Sequence, residues 1–285
     1  MSFDFTNRPE LSYLAQVASA LERVAAPLGC DYFVIGATAR DITLHHAYEV
    51  DVSRMTQDVD FSFMVSDWDA FTNLRANLIG GGAFAEREGG AIHRLRHVGT
   101  GLPIDLVPFG GIERPDRTIA WPPEHAVLFD CFGLREALAT AVMTRLPDDA
   151  SLRVASVPAL AILKLTAWRD RKRTHPGRDA GDLFLYMRHY ITCGNIERLA
   201  SSHVDLLEDP EFDYEPAGAR LLGRDAGLRA FRRQRVLQRH LPLARRSQAG
   251  GEIQRQSAQH GRDRGGDPEN LLGLHVLTHH ISHPT

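Results

Sequence analysis

The stretch Thr56-Gln57-Asp58-Val59-Asp60-Phe61-Ser62-Phe63 constrains this chain most. Two carboxylates sit one residue apart inside an apolar, aromatic run. In an extended strand, side chains alternate between faces, so Asp58 and Asp60 share one side and Val59, Phe61 and Phe63 share the other. The apolar side needs a core. The acidic side holds two like charges, which are unfavourable together unless a cation lies between them. Carboxylate oxygens suit a hard divalent ion such as Mg²⁺. A bare Asp-x-Asp also fits a solvent-facing pair on a half-buried edge strand, so the sequence around it has to decide.

Upstream, Tyr32 to Ile35 is a short apolar run that predicts a buried strand. Gly36 ends it and permits a tight turn with close backbone approach. Ala37 to His46 then predicts a helix. A strand, a glycine turn and a helix start together offer backbone N–H groups to an anion. Downstream, Ala91 to Val98 and Leu102 to Phe109 predict two strands joined by the hairpin signal Gly99-Thr100-Gly101. The second carries a third carboxylate, Asp105, on the side of Val107 and opposite Ile104 and Leu106. Alone, Asp105 also fits an edge strand.

These residues resemble the nucleotidyltransferase superfamily related to DNA polymerase β. The shared pattern is an apolar strand, the turn Gly36-Ala37, the pair Asp58 and Asp60, and the later Asp105. Gly36-Ala37-Thr38-Ala39-Arg40, Arg54-x-Thr56-x-Asp58-Val59-Asp60 and Lys164 are similar to the AbiEii-type branch, which includes toxins of toxin–antitoxin and phage-defence systems. The likeness runs over residues 30–190. Ala37 departs from the usual second Gly or Ser, so no hydroxyl reaches a phosphate there. The gap from Gly36 to Asp58 is also longer than in the compact members.

The resemblance implies an α/β fold, with a small mixed-sheet nucleotidyltransferase core followed by a helical domain. It implies Mg²⁺ held by Asp58, Asp60 and Asp105, and an NTP whose phosphates meet Gly36, Ala37, Arg40 and Lys164. Arg54 fits a place near those phosphates and equally a surface arginine capping the strand. Asp179 and Asp182 both fit the aspartate that completes the nucleotide site after the lysine. The implied activity is transfer of NMP from NTP to an acceptor, with the 3′ end of tRNA as the leading acceptor and a cognate antitoxin protein as a partner. A small-molecule, antibiotic-type nucleotidyltransferase and a non-catalytic nucleotide-binding module are the alternatives.

The rest of the chain frames that site. Leu11 to Leu28 carries apolar residues at helical spacing and predicts a packing helix. Asp67 predicts the N-cap of a helix from Trp68 to Leu78, which Gly80-Gly81-Gly82 ends. Gly110 to Glu124 predicts a loop, and Ala126 to Cys131, Ala141 to Leu146 and Leu152 to Ser156 predict short strands. Pro158 starts an apolar helix that contains Lys164, a lysine that must snorkel or meet an anion. Arg169 to Arg173 is a basic run that fits a solvated helix face or a groove for RNA or a triphosphate. His45-His46 predicts surface residues, because neighbours on a helix diverge by about 100°.

The chain has 285 residues, 43% hydrophobic, with net charge −3, which argues against bulk binding to nucleic acid. No run approaches the ~20 apolar residues of a membrane span, so no membrane is expected. Met1 to Glu10 lacks the pattern of a secretion signal. Cys30, Cys131 and Cys193 are too few and too scattered for a disulfide framework or a metal motif, and a reducing cytoplasm fits. The expected division is a core over residues 1–150, a helical domain over 151–235 and a disordered tail over 236–285, where apolar periodicity is lost.

Overall fold

The structure is a computed structural model that describes residues 2–52, 58–87, 90–175 and 177–238. Arg54 and the greater part of the expected tail lie outside the described residues.

The Asp-x-Asp stretch forms β3 (Val59–Val65). It lies between β2 (Tyr32–Ile35), antiparallel to it, and β6 (Pro103–Gly110), parallel to it. The remaining strands of this sheet are β1 (Ser2–Asp4), β4 (Phe84–Glu86), β5 (Arg94–His97), β9 (Val142–Arg145) and β10 (Ser151–Val154). The eight strands run in the order β1-β9-β10-β2-β3-β6-β5-β4, a mixed sheet as expected. A separate hairpin, β7 (Thr118–Ala120) with β8 (Leu128–Asp130), takes up part of the stretch expected as loop.

The strand with the carboxylates is not half-buried. Val59, Phe61 and Phe63 enter the core as predicted, but Asp60 and Ser62 on the opposite face are buried too. Ser62 answers its burial by donating to the Val107 carbonyl at 3.1 Å. Asp60 has no such partner for one of its oxygens. The strand of Asp105 is likewise central rather than an edge, because β5 pairs along its far side.

Helices cover the sheet. α1 (Ser12–Ala25) and α3 (Trp68–Gly80) pack on each other, with α1 against β10 and α3 against β3 and β4. Tyr32 stacks on Phe63 and donates to Glu22 of α1 at 3.0 Å, tying that helix to the middle of the sheet. Asp67 caps α3 by accepting from the Ala70 amide at 2.8 Å, an interaction of about 1 kcal/mol. α2 (Gly36–Arg40) follows β2 directly and continues as a wider π-helical turn from Asp41 to His46. α4 (Leu134–Ala139) packs on β6 and on α5 (Val157–Arg171). α5 begins with Val157-Pro158, where a proline costs no helical hydrogen bond. α5, α6 (Arg178–His189) and α8 (Tyr214–Gln238) pack together, with α7 (Ile196–Ser201) between the last two in sequence. α2 touches α5, so the glycine turn and the helical layer meet. Among the described residues, no helix is long and apolar enough to cross a membrane.

Candidate active site

Strand register sets the centre of the site. Ile35 pairs with Asp60, Asp60 with Asp105, and Asp105 with Arg94. Four adjacent strands therefore carry, at one level, the glycine turn, two carboxylates and an arginine. Gly36 turns the chain with φ of 70°, a left-handed conformation that glycine tolerates best. A Cβ added there would stand 2.1 Å from Asp60 Oδ2. Only glycine lets the turn lie against this carboxylate, and Ala37 beside it is half-buried. Asp58, just before β3, is half-buried, and its backbone carbonyl accepts from Thr38 Oγ1 at 3.1 Å.

Asp60 and Asp105 are each 2% exposed. The Oδ1 atoms of both lack a hydrogen-bond partner among the described residues. Burial pushes Asp60 well above the ordinary carboxylate range, and the charges of Asp105 and Asp58 push it further. Lys164 and Arg171 pull the other way. Burial also raises Asp105 to about 6, against the pull of Arg94. Arg94 Nε stands 3.9 Å from Asp105 Oδ1, an ion pair too long for a hydrogen bond, and makes no hydrogen bond among the described residues.

A second cluster lies beside this row, and each of its charges is paired. Asp182 on α6 receives Lys164 Nζ at 2.6 Å and Arg40 at 2.8 Å. Arg40 also holds Asp41 at 2.7 Å, and Lys164 reaches Asp179 at 3.5 Å. Arg171 donates to both oxygens of Asp179, at 3.0 and 3.1 Å. Burial alone would raise Asp182, but Lys164 and Arg40 hold it below the usual range. Tyr186, fully buried against the same charges, leaves its hydroxyl unpartnered.

A sequence profile described as nucleotidyl transferase AbiEii toxin, Type IV TA system, matches residues 19–246. The chain belongs to the AbiEii family. That makes it a nucleotidyltransferase of a toxin–antitoxin family. Among solved structures it resembles an antigenic nucleotidyltransferase-like protein from Paracoccidioides brasiliensis, at 19% identity and a TM-score of 0.41, covering 68% of this chain and 90% of that one. It also resembles the antibiotic-resistance factor ANT(2'')-Ia, at 13% identity and a TM-score of 0.29, covering 80% and 97%. Both scores are low, and membership rests on the profile match. No curated protein matches by sequence.

Within this AbiEii chain, several expected residues take unexpected places. Arg40 is engaged by carboxylates of the chain itself. Its guanidinium turns inward, because Asp41 and Asp182 both claim it. Lys164 meets an anion as an apolar helix requires, but the anions are the protein's own Asp182 and Asp179. Both candidate aspartates are thus used. The basic run is partly paired, with Arg169, Lys172 and Arg173 exposed. Arg171 is bound to Asp179, Arg169 pairs with Asp130 and Asp170, and Lys172 lies 5.2 Å from the Trp168 ring. Thr38, Asp41, Arg94 and Tyr186 were not singled out by sequence reasoning. Asp41 directly follows Arg40, a signal that could have been used; the other three depend on long-range packing.

Whether a divalent ion suits these carboxylates has a mixed answer. The donors are all hard oxygens, and two of them are buried without a partner. Among the described residues, however, no three His, Cys, Asp or Glu side chains stand close enough together to hold one ion. Donor chemistry and the unmet charge fit Mg²⁺; ligation by all three aspartates requires side-chain adjustment. A cavity of about 500 Å³ opens elsewhere, lined by residues such as Thr43, Ser156, Tyr190 and Arg198, and none of the three aspartates lines it.

Proposed function

We propose that this AbiEii protein transfers NMP from an NTP to the 3′ end of an RNA, with tRNA as the acceptor class, as the toxin of a pair restrained by a cognate antitoxin. The carrying observation is the row of buried, incompletely paired carboxylates set against a glycine turn. A buried negative charge without compensation costs several kcal/mol. Its natural partner is a divalent cation arriving with a triphosphate.

In this reading Asp58, Asp60 and Asp105 hold Mg²⁺. When bound, the ion neutralises phosphate charge and polarises the phosphoryl oxygens. The turn at Gly36 and Ala37 presents backbone to the phosphates. Lys164 sets a positive charge beside Asp60 and supports the triphosphate side. Asp105, at the end of the row away from the glycine turn, accepts the proton of the attacking hydroxyl. The acceptor oxygen forms a bond to the α-phosphorus, the bond from that phosphorus to the leaving oxygen breaks, and pyrophosphate departs. Arg40, Asp179 and Asp182 position Lys164.

The test is incubation with each α-labelled NTP, with and without Mg²⁺, in a cell lysate. Mg²⁺-dependent label in RNA supports the reading. Label in a small molecule favours the antibiotic-type alternative. NTP binding by titration calorimetry without any labelled product favours a non-catalytic module.

A further inference from the structure

We propose that Arg94 binds the phosphate backbone of the acceptor, opposite the triphosphate. This deepens the nucleotidyl-transfer reading above and rests on it.

The argument starts from the row. Ile35 next to Gly36, Asp60, Asp105 and Arg94 lie on neighbouring strands at one level. Strands are spaced by ~4.8 Å, so the glycine turn and Arg94 stand roughly 14 Å apart with the carboxylates between them. The triphosphate belongs at the glycine end, where α2 meets α5. In-line displacement places the entering hydroxyl opposite the leaving pyrophosphate. The acceptor must therefore enter from the end of Asp105 and Arg94.

The chemistry of that end is cationic. The Arg94 side chain is 17% exposed, so part of it reaches solvent while its Nε is buried and, among the described residues, makes no hydrogen bond. Its 3.9 Å separation from Asp105 is an ion pair without a hydrogen bond. Arg87, exposed at the end of the neighbouring strand β4, is near enough for its charge to act on Asp105. Arg96 shares a face of β5 with Arg94 by alternation and is exposed. A planar guanidinium matches a phosphodiester in a bidentate manner. A cationic small molecule would meet repulsion there. On the basic run of α5, by contrast, Arg171 is tied to Asp179 and Arg169 to Asp130 and Asp170.

Arg94→Gln and Arg94→Lys in the full chain test this. With bulk tRNA as probe, Arg94→Gln should raise KM for RNA about tenfold or more, the scale of a charged hydrogen bond, with KM for NTP changed less than about twofold. Arg94→Lys should recover part of the loss. The salt dependence of RNA binding should flatten by about 0.7 in log–log slope for each phosphate that the variant no longer neutralises. An equal rise in KM for NTP, or an unchanged KM for RNA, overturns the inference. Binding of a fluorescent single-stranded RNA, read by anisotropy, needs no turnover, and equal affinity of wild type and Arg94→Gln overturns it also. Label entering a protein or a phosphate-free small molecule removes both this inference and the RNA reading. Wild-type labelling of RNA with an indifferent Arg94→Gln removes the inference alone. Melting temperatures of both variants identify a folding defect, and the salt slope and the split in KM are not moved by one.

Discussion

Two charged regions meet in this protein, and only one of them is finished. The cluster of α2, α5 and α6 joins the buried cations Arg40 and Lys164 and the half-buried Arg171 to three buried carboxylates, Asp41, Asp179 and Asp182. Each charge has a partner within 3.5 Å. The row across the sheet buries Asp60 and Asp105 beside Asp58, and two of its oxygens have no partner among the described residues. Desolvation weighs on both regions. In the first it is offset inside the chain. In the second it is left standing, as expected where a ligand completes the charge. The balanced cluster builds the site, and the unbalanced row is where the chemistry is expected.

The largest effect should come from breaking the row at its centre. Asp60→Ala should lower nucleotide transfer by more than about 10²-fold, the scale of losing one preorganised electrostatic group. The same change removes a buried, repelled carboxylate, so the ion-free protein should melt higher than wild type. Activity near wild type in a folded Asp60→Ala protein would reject the carboxylate row as the reaction centre.

The paired cluster should respond in the opposite sense. Lys164→Met strips a buried cation from Asp182 and Asp179 and should cost about 3–5 kcal/mol of stability. The apolar setting of Lys164 suggests from sequence alone a change that spares stability; its two ion pairs reverse that expectation. Chemical denaturation measures the difference. A loss below about 1 kcal/mol would mean that Arg40 and Arg171 suffice to balance the aspartates.

The elements of both regions were legible because continuous apolar runs mark them. β2, β3, the β5–β6 hairpin, α3 and α5 all follow strand or helix patterns. β1, β4 and α4 are too short to show a local period, and β1 owes its form to the distant β9. The types of the key residues were also legible, but their pairings were not. Arg40 and Asp182 are 142 positions apart, and no spacing links them. Arg94 joins the site only through the register of the hairpin, and a shift of one residue would turn it to the other face. The sheet context also decided that Asp105 is central, which the strand's own sequence left open.

Asp105 gives the comparison a pH axis. Its folded value is raised from 3.8 to about 6, so the folded state binds this proton more tightly than the unfolded chain. The associated stability is fully present below about pH 4 and is lost as pH rises through 6. The loss amounts to about 3 kcal/mol at neutral pH. Wild type without Mg²⁺ should therefore lose stability between about pH 4 and 6, and Asp105→Asn should flatten that slope. Coincident profiles for the two proteins would show that Asp105 is not held in the protonated form by the fold.

The smallest effect sharpens the boundary between the regions. Thr38 lies on α2, next to the paired cluster, yet its hydroxyl holds the backbone of Asp58, on the side of the row. Thr38→Val removes that bond and should cost about 1 kcal/mol of stability. Its consequence for function should be larger than its consequence for folding, because the freed carbonyl belongs to a proposed ligand of Mg²⁺. The Mg²⁺ concentration for half-maximal activity should rise several-fold, while KM for NTP at saturating Mg²⁺ should stay close to wild type. Thr38→Ser keeps the hydroxyl and should restore the Mg²⁺ response. A Thr38→Val protein that melts lower with an unchanged Mg²⁺ response would show that the bond serves only to fasten α2 to β3, and that Asp58 holds its place without it.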